Sequence, residues 1–226
     1  FGASSFENGL AARPMVANEV SAVSILPGSS YGSSSSYVNE HFNATRLTEA
    51  ILNPEATQIH LASHAELGSS GDLSSYIYTT QSRIPLSEFS TIRLSKGLKR
   101  LDLVTLSACR TAVSASNMEL GFAGLALQAG SASAIGSKWY VDDIASAAFF
   151  ALYYSYLDSG EYKDEAFRKT QAAFRAGQII LLPNQVIGPE GRLLLNDIPL
   201  GLTRRYPHGF VHPYYWSGFS LIGSPW

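Results

Sequence analysis

The sequence predicts an α/β fold, a mainly parallel central sheet with helices on both faces. Two observations carry that prediction. Residues 101–106 form a short apolar run, Leu101, Leu103, Val104 and Leu106 around Thr105, which fits a strand covered on both faces. Residues 58–63 repeat the construction, and residues 131–137 give a third strand of mostly small residues around Ile135. Helical segments with recognisable starts and stops lie among and after these strands, and such alternation marks a parallel sheet.

Taken in order, residues 1–4 read as the tail of a strand, and a chain that opens on Phe1 reads as a piece of a longer one. Residues 18–26 suit a short helix capped by Asn18, with Val20, Val23 and Leu26 on one face. Residues 27–36, PGSSYGSSSS, have no periodicity and read as a loop. Residues 46–52 suit a second helix, stopped before Pro54. The strand at 58–63 follows, then a polar, glycine-bearing loop over 65–73. Residues 74–80 and 83–86 can pair as a hairpin. Beyond the strand that ends near Ser107, Ser116 and Glu119 form a Ser-x-x-Glu capping box, which opens a helix to Gln128 closed by Gly130. Asp142 or Asp143 caps a helix that runs to Asp158 and stops at Gly160. A further helix spans 164–176 and closes at Gly177. Residues 183–211 break this rhythm. Gly188-Pro189-Glu190-Gly191 signals a turn, Arg204 and Arg205 look exposed, and the segment reads as an insertion. Residues 216–222 read as a closing strand. The whole, 1–226, is expected to be one domain.

Composition narrows the function. At 226 residues and 46% apolar, the chain can bury a sizeable core. Sixteen basic against 18 acidic residues leave a formal charge of −2, so no electrostatic pull toward nucleic acid or an anionic membrane is expected. A single cysteine cannot form an internal disulfide, which fits a reducing, cytoplasmic setting. No apolar run reaches membrane-span length, and no signal peptide is visible.

The chemistry concentrates at two strand ends. Cys109, the only cysteine, follows the small residues Ser107 and Ala108 where the 101–106 run stops. His64 follows the strand 58–63 in the same way. In open α/β sheets, ligands bind beyond the carboxyl ends of parallel strands. If the two strands are parallel neighbours, thiol and imidazole emerge at one edge as a nucleophile and its base. A lone cysteine is more often a small core hydrophobe; here the strand-end position and the matching histidine reverse that. His60 lies inside its strand and reads as a packed residue, and His41, His208 and His212 have no evident partner. One cysteine and scattered histidines lack metal-ligand spacing, and no glycine-rich phosphate loop is present, so neither metal nor cofactor is expected.

Four blocks then carry a resemblance. ASH at 62–64, LSACRTA at 106–112, GSKWYVDD at 136–143 and HPYYWSGFSLIG at 212–223, in that order, resemble the CHAT family, bacterial relatives of caspases and separase. The histidine-to-cysteine spacing is similar to the roughly 50 residues found in caspases. The resemblance implies a caspase-like fold and a cysteine endopeptidase. In it, His64 is the base, Cys109 the nucleophile, and the backbone N–H groups of Ala65 and Cys109 form the oxyanion hole. The loop carrying Lys138, Trp139, Asp142 and Asp143 is implied to line the substrate pocket. The substrate would be a protein, and regulation would come from a region upstream in the parent chain. Two positions depart from the family: Ala65 stands where a glycine is usual, and Lys138 where a lysine is not. No side chain offers itself to orient the imidazole, because Asp102 lies at the far end of its strand. Aspartates at a helix start also cap it, a role that competes with pocket lining for Asp142 and Asp143. The alternative, favoured by Ala65, is a degenerate protease fold that serves as an interaction or regulatory module.

Overall fold

The computed structural model describes residues 1–24, 33–66, 75–85, 100–108 and 121–226. The chain falls into two compact units. The first comprises 1–14, 37–140 and 219–225; the second comprises 15–36, 141–218 and Trp226.

The first unit holds the central sheet. Its strands are β1 (Gln58–Ser63), β5 (Leu103–Ala108), β6 (Ser133–Ser137) and β10 (Phe219–Gly223), side by side in that order. β1, β5 and β6 are parallel, and β10 closes one edge antiparallel to β6. The three strands expected to be neighbours therefore are neighbours. The closing strand is real but starts at Phe219, because residues 216–218 continue the turn that the 3-10 helix at 213–215 begins. In β5 the side chains of Leu103, Val104, Thr105, Leu106 and Ser107 are all buried, as a strand covered on both faces requires. Val104 and Leu106 join Ile59 and Leu61 of β1 in one apolar cluster. Helix α2 (Ala44–Leu52), capped by the Asn43 side chain on the Arg46 N–H, adds Leu47 and Ile51 to it. Helix α3 (Gly121–Gln128) adds Phe122, Ala123 and Ala126. Gly130, at φ 90°, ends α3 as expected. The capping box at Ser116 and Glu119 lies outside the described residues.

Residues 1–3 lie along the outer edge of β1. Gly2 bridges Ala62 in parallel, the Ala3 N–H donates to the Ala62 carbonyl at 2.9 Å, and the Ala62 N–H donates to that of Phe1 at 2.8 Å. Past His64 the chain leaves the main sheet for a small antiparallel one, β2 (Ala65–Glu66), β3 (Tyr76–Tyr78) and β4 (Arg83–Pro85). β3 and β4 are the hairpin read from the sequence. Ala65 and Glu66 were expected to begin a loop. They pair with Ile77 and Tyr76 instead, because Ala65 and Ile77 enter the same apolar cluster as β1 and that burial outweighs the polar character of residues 66–73.

The second unit is built on α4 (Asp143–Asp158), whose side chains are mostly buried. It packs with α1 (Val16–Ser24), α5 (Lys163–Arg175) and a three-stranded antiparallel sheet of β7 (Ile180–Leu181), β8 (Val186–Ile187) and β9 (Leu193–Leu195). The segment 183–211 thus forms most of a small sheet, and its Gly-Pro-Glu-Gly turn joins β8 to β9. α1 starts at Val16 and not after Asn18. The Met15 N–H at its start donates to the Asp143 carboxylate at 2.7 Å, so a side chain 128 residues away does what a local cap would do. Asn18 sits inside the helix and donates to the Asn196 carbonyl at 2.7 Å. No described helix is long and apolar enough to cross a membrane.

Candidate active site

The register of β1 on β5 is constant: Gln58 faces Leu103, and the last pair is Ser63 with Ala108. His64 is the next residue of one strand, and Cys109 the next residue of the other. Cys109 itself lies outside the described residues. The sequence offset between His64 and Cys109 is thus the offset of the ladder itself.

His64 is 6% exposed and sits where β1 of the main sheet passes into β2 of the small one. Its carbonyl accepts the Tyr78 N–H at 2.9 Å, which ties it to the hairpin. The preceding Ser63 hydroxyl donates to the Tyr78 carbonyl. The imidazole is held on two sides. Its Nε2 lies 2.8 Å from the carbonyl oxygen of Ala11, and the Phe6 ring tilts against it with centroids 4.7 Å apart. A carbonyl oxygen can only accept, so Nε2 must carry the proton that it donates. In the neutral ring, Nδ1 is then the nitrogen that bears the basic lone pair. The orienting group that no side chain in the sequence offered is a backbone carbonyl.

Both contacts come from one segment, residues 4–13. It is anchored by the Glu7 N–H on the Thr80 carbonyl and the Arg13 N–H on the Ser4 carbonyl, both at 2.9 Å. Arg13 also belongs to the site and was not singled out from the sequence. Its side chain is 2% exposed, and Nη1 donates to the carbonyls of Ser63 at 2.7 Å and Ser107 at 2.6 Å. The only sequence signal was an arginine within a short loop, which ordinarily reads as a surface charge.

Ala65 is buried in ordinary strand backbone, and it is absent from the residues with positive φ. A glycine is therefore not needed there on conformational grounds. The Tyr78 N–H bond to the His64 carbonyl makes the Ala65–Ile77 pair one of the non-hydrogen-bonded pairs of the antiparallel ladder. The Ala65 N–H consequently turns away from β3.

The remaining pocket candidates separate between the units. Lys138, exposed, and Trp139, half-buried, follow β6 directly in the first unit. Asp142 and Asp143 open α4 in the second. Asp142 is the helix cap: Oδ1 accepts the N–H groups of Ile144 and Ala145, both at 3.0 Å. Its Oδ2 accepts the Tyr206 hydroxyl at 2.6 Å. Burial first, and then this carboxylate, raise the Tyr206 phenol far above its ordinary range. Asp143 accepts the Met15 N–H at the start of α1. Asp102 sits at the start of β5, where its N–H donates to the Thr57 carbonyl, at the opposite end of the strand from Cys109. His212 accepts the Tyr214 N–H on Nδ1 at 3.2 Å, in the short turn before β10.

A mixed sheet, parallel at its centre and flanked by helices, with a buried histidine at the carboxyl end of the parallel strand β1, defines the class as a caspase-like α/β fold. The comparison with protein families places the chain within that class. The model of the CHAT domain matches residues 2–224, nearly the whole chain, and the protein belongs to the CHAT-domain family, a caspase-like family related to peptidases. No curated protein matches the chain.

Proposed function

We propose that this domain is a cysteine endopeptidase with His64 and Cys109 as its catalytic dyad. The observation that carries the proposal is the contact of His64 Nε2 with the Ala11 carbonyl at 2.8 Å. With Nε2–H spent on the Ala11 carbonyl, Nδ1 is the nitrogen able to take a proton. In the proposed reaction, Nδ1 takes the thiol proton of Cys109, and the sulfur forms a bond to the carbonyl carbon of the peptide. The negative charge that develops on the carbonyl oxygen is met by the backbone N–H groups of Ala65 and Cys109. The turn of the Ala65 N–H away from β3 supports its part in this. The C–N bond then breaks, and His64 returns its proton to the leaving amine. Water, giving its proton to His64, attacks the thioester and releases the acid and the free thiol.

The degenerate-module reading leaned on Ala65. Its ordinary strand backbone, with the N–H turned from β3, removes the conformational objection to an alanine there and so supports the endopeptidase reading. The substrate is proposed to be a protein, with control from a region upstream in the parent chain. Lys138, Trp139, Asp142 and Asp143 stay as proposed determinants of the residue before the cut. A peptide library tests them. Cleavage indifferent to that residue, and unaltered by changing both aspartates to alanine, would leave Asp142 and Asp143 with their hydrogen-bond duties alone.

The direct test is a thiol-reactive peptide probe followed by intact-mass measurement. Wild type should gain one probe and Cys109→Ala none. His64→Ala should label slower by about a hundred- to ten-thousandfold, the usual worth of a general base. Wild-type protein that stays unlabelled by every peptide in the library would favour the degenerate module.

A further inference from the structure

We propose that Arg13 is the positioning residue of the dyad, clamping the carboxyl ends of the histidine strand and the cysteine strand together. The proposal rests on the dyad reading above. The guanidinium is almost wholly buried, and one of its nitrogens, Nη1, reaches the backbone carbonyls of both Ser63 and Ser107. Burying a cation is unfavourable, and an aliphatic side chain would fill the same space more cheaply. What arginine adds is directed donors: Nη1 carries two hydrogens, so one nitrogen can hold both strands.

The two acceptors are placed to matter. Ser63 directly precedes His64, and Ser107 stands two residues before Cys109. The β1–β5 ladder ends at the Ser63–Ala108 pair. The clamp therefore acts where backbone pairing stops fixing the distance between the strands. Charge-assisted bonds to carbonyls are the stronger kind, and the guanidinium fork is rigid. Residue 11 of the same segment supplies the carbonyl that orients the imidazole. One short stretch, 11–13, thus sets both the direction of the ring and the spacing of the strand ends. The role proposed for Arg13 is positioning: it acts through the strands that carry His64 and Cys109.

The chain contains one cysteine, so alkylation by iodoacetamide, followed by intact mass, reads Cys109 alone. The rate is measured at neutral pH on folded protein for wild type, His64→Ala, Arg13→Met, Arg13→Lys and the double variant Arg13→Met/His64→Ala. If the dyad exists, His64→Ala slows alkylation by about tenfold or more, since the thiolate loses its partner. If Arg13 positions the dyad, Arg13→Met slows it by a similar factor, and the double variant is no slower than His64→Ala, because both changes break one unit. Arg13→Lys should fall between, since an ammonium keeps the charge without the fork. Arg13→Met that lowers the thermal midpoint but alkylates at the wild-type rate overturns the proposal, as does additive slowing in the double variant. Should Arg13→Met fail to fold, Arg13→Lys decides, and a wild-type rate there overturns it. An unchanged rate in His64→Ala sinks the dyad reading itself, and the clamp falls with it.

Discussion

At the scale of single residues, the site depends on backbone as much as on side chains. The imidazole of His64 is oriented by the Ala11 carbonyl, which leaves Nδ1 as the proposed base. Two-bond proton–nitrogen NMR spectra should therefore show the Nε2–H tautomer for His64 when it is neutral; an Nδ1–H signal would remove the proposed base. Ala65 gives a second prediction. Its amide, and not its side chain, is the proposed working part, and its φ is one that any residue adopts. Ala65→Gly should keep the rate of probe labelling and lose about 1 kcal/mol of stability, measured by denaturant unfolding, through greater chain entropy and one lost buried methyl. A several-fold gain in labelling would instead show that the alanine methyl obstructs the oxyanion site. As candidates, His64 and Cys109 were legible in the sequence because each follows an apolar run that ends in small residues. Ala11 was not, because a carbonyl is common to every residue and its place depends on the path of the loop. Arg13 was missed for a related reason: an isolated arginine between Ala12 and Pro14 carries no mark of burial.

At the scale of elements, the strands were easier to read than their edges. β1, β5 and β6 follow from apolar or small-residue runs, and their adjacency from the alternation with helices. β2 was hidden because a two-residue strand has no period to detect. The start of α1 was misplaced because its first N–H is satisfied from Asp143, far away in sequence, and not by a neighbouring cap. Asp142, by contrast, caps α4 as its position suggested, and Asp142→Ala should cost about 0.5–2 kcal/mol in thermal or chemical unfolding. The end of β10 makes a sharper prediction. Gly223 has φ 99°, and a Cβ there would press into the Ala132 carbonyl and come within 2.9 Å of Leu127 Cδ2 and of the Ser133 Cα. Backbone strain alone should make Gly223→Ala lose about 1–3 kcal/mol, with the clash adding to it. A variant as stable as wild type would mean that β10 can leave β6 without penalty.

At the scale of the whole molecule, two compact units share one chain, and the family match spans both. The segment 183–211 was legible as a break in the pattern but not as a sheet, since its strands are only two or three residues long. Its Tyr206 links that segment to the α4 cap and gives the molecule a pH signature. The phenol is raised in the folded state, by burial and by Asp142, so the unfolded chain releases that proton first. Stability from this group is complete below the ordinary tyrosine value of 10.0 and declines as pH rises beyond it. Denaturant unfolding of Tyr206→Phe should show lower stability at neutral pH and a flatter loss above that value. Parallel curves for variant and wild type would assign the alkaline loss elsewhere.

The central claim is that His64 and Cys109 act as one unit, and the pH profile of alkylation at the single cysteine tests it most directly. An ordinary thiol reaches half its limiting rate near pH 8.5 and loses about tenfold per unit below that. The account predicts that wild-type protein keeps its alkylation rate well into the acid side of that value, and that His64→Ala returns to the ordinary profile while remaining folded. Superimposable profiles for the two proteins, both centred near the ordinary thiol value, would contradict it.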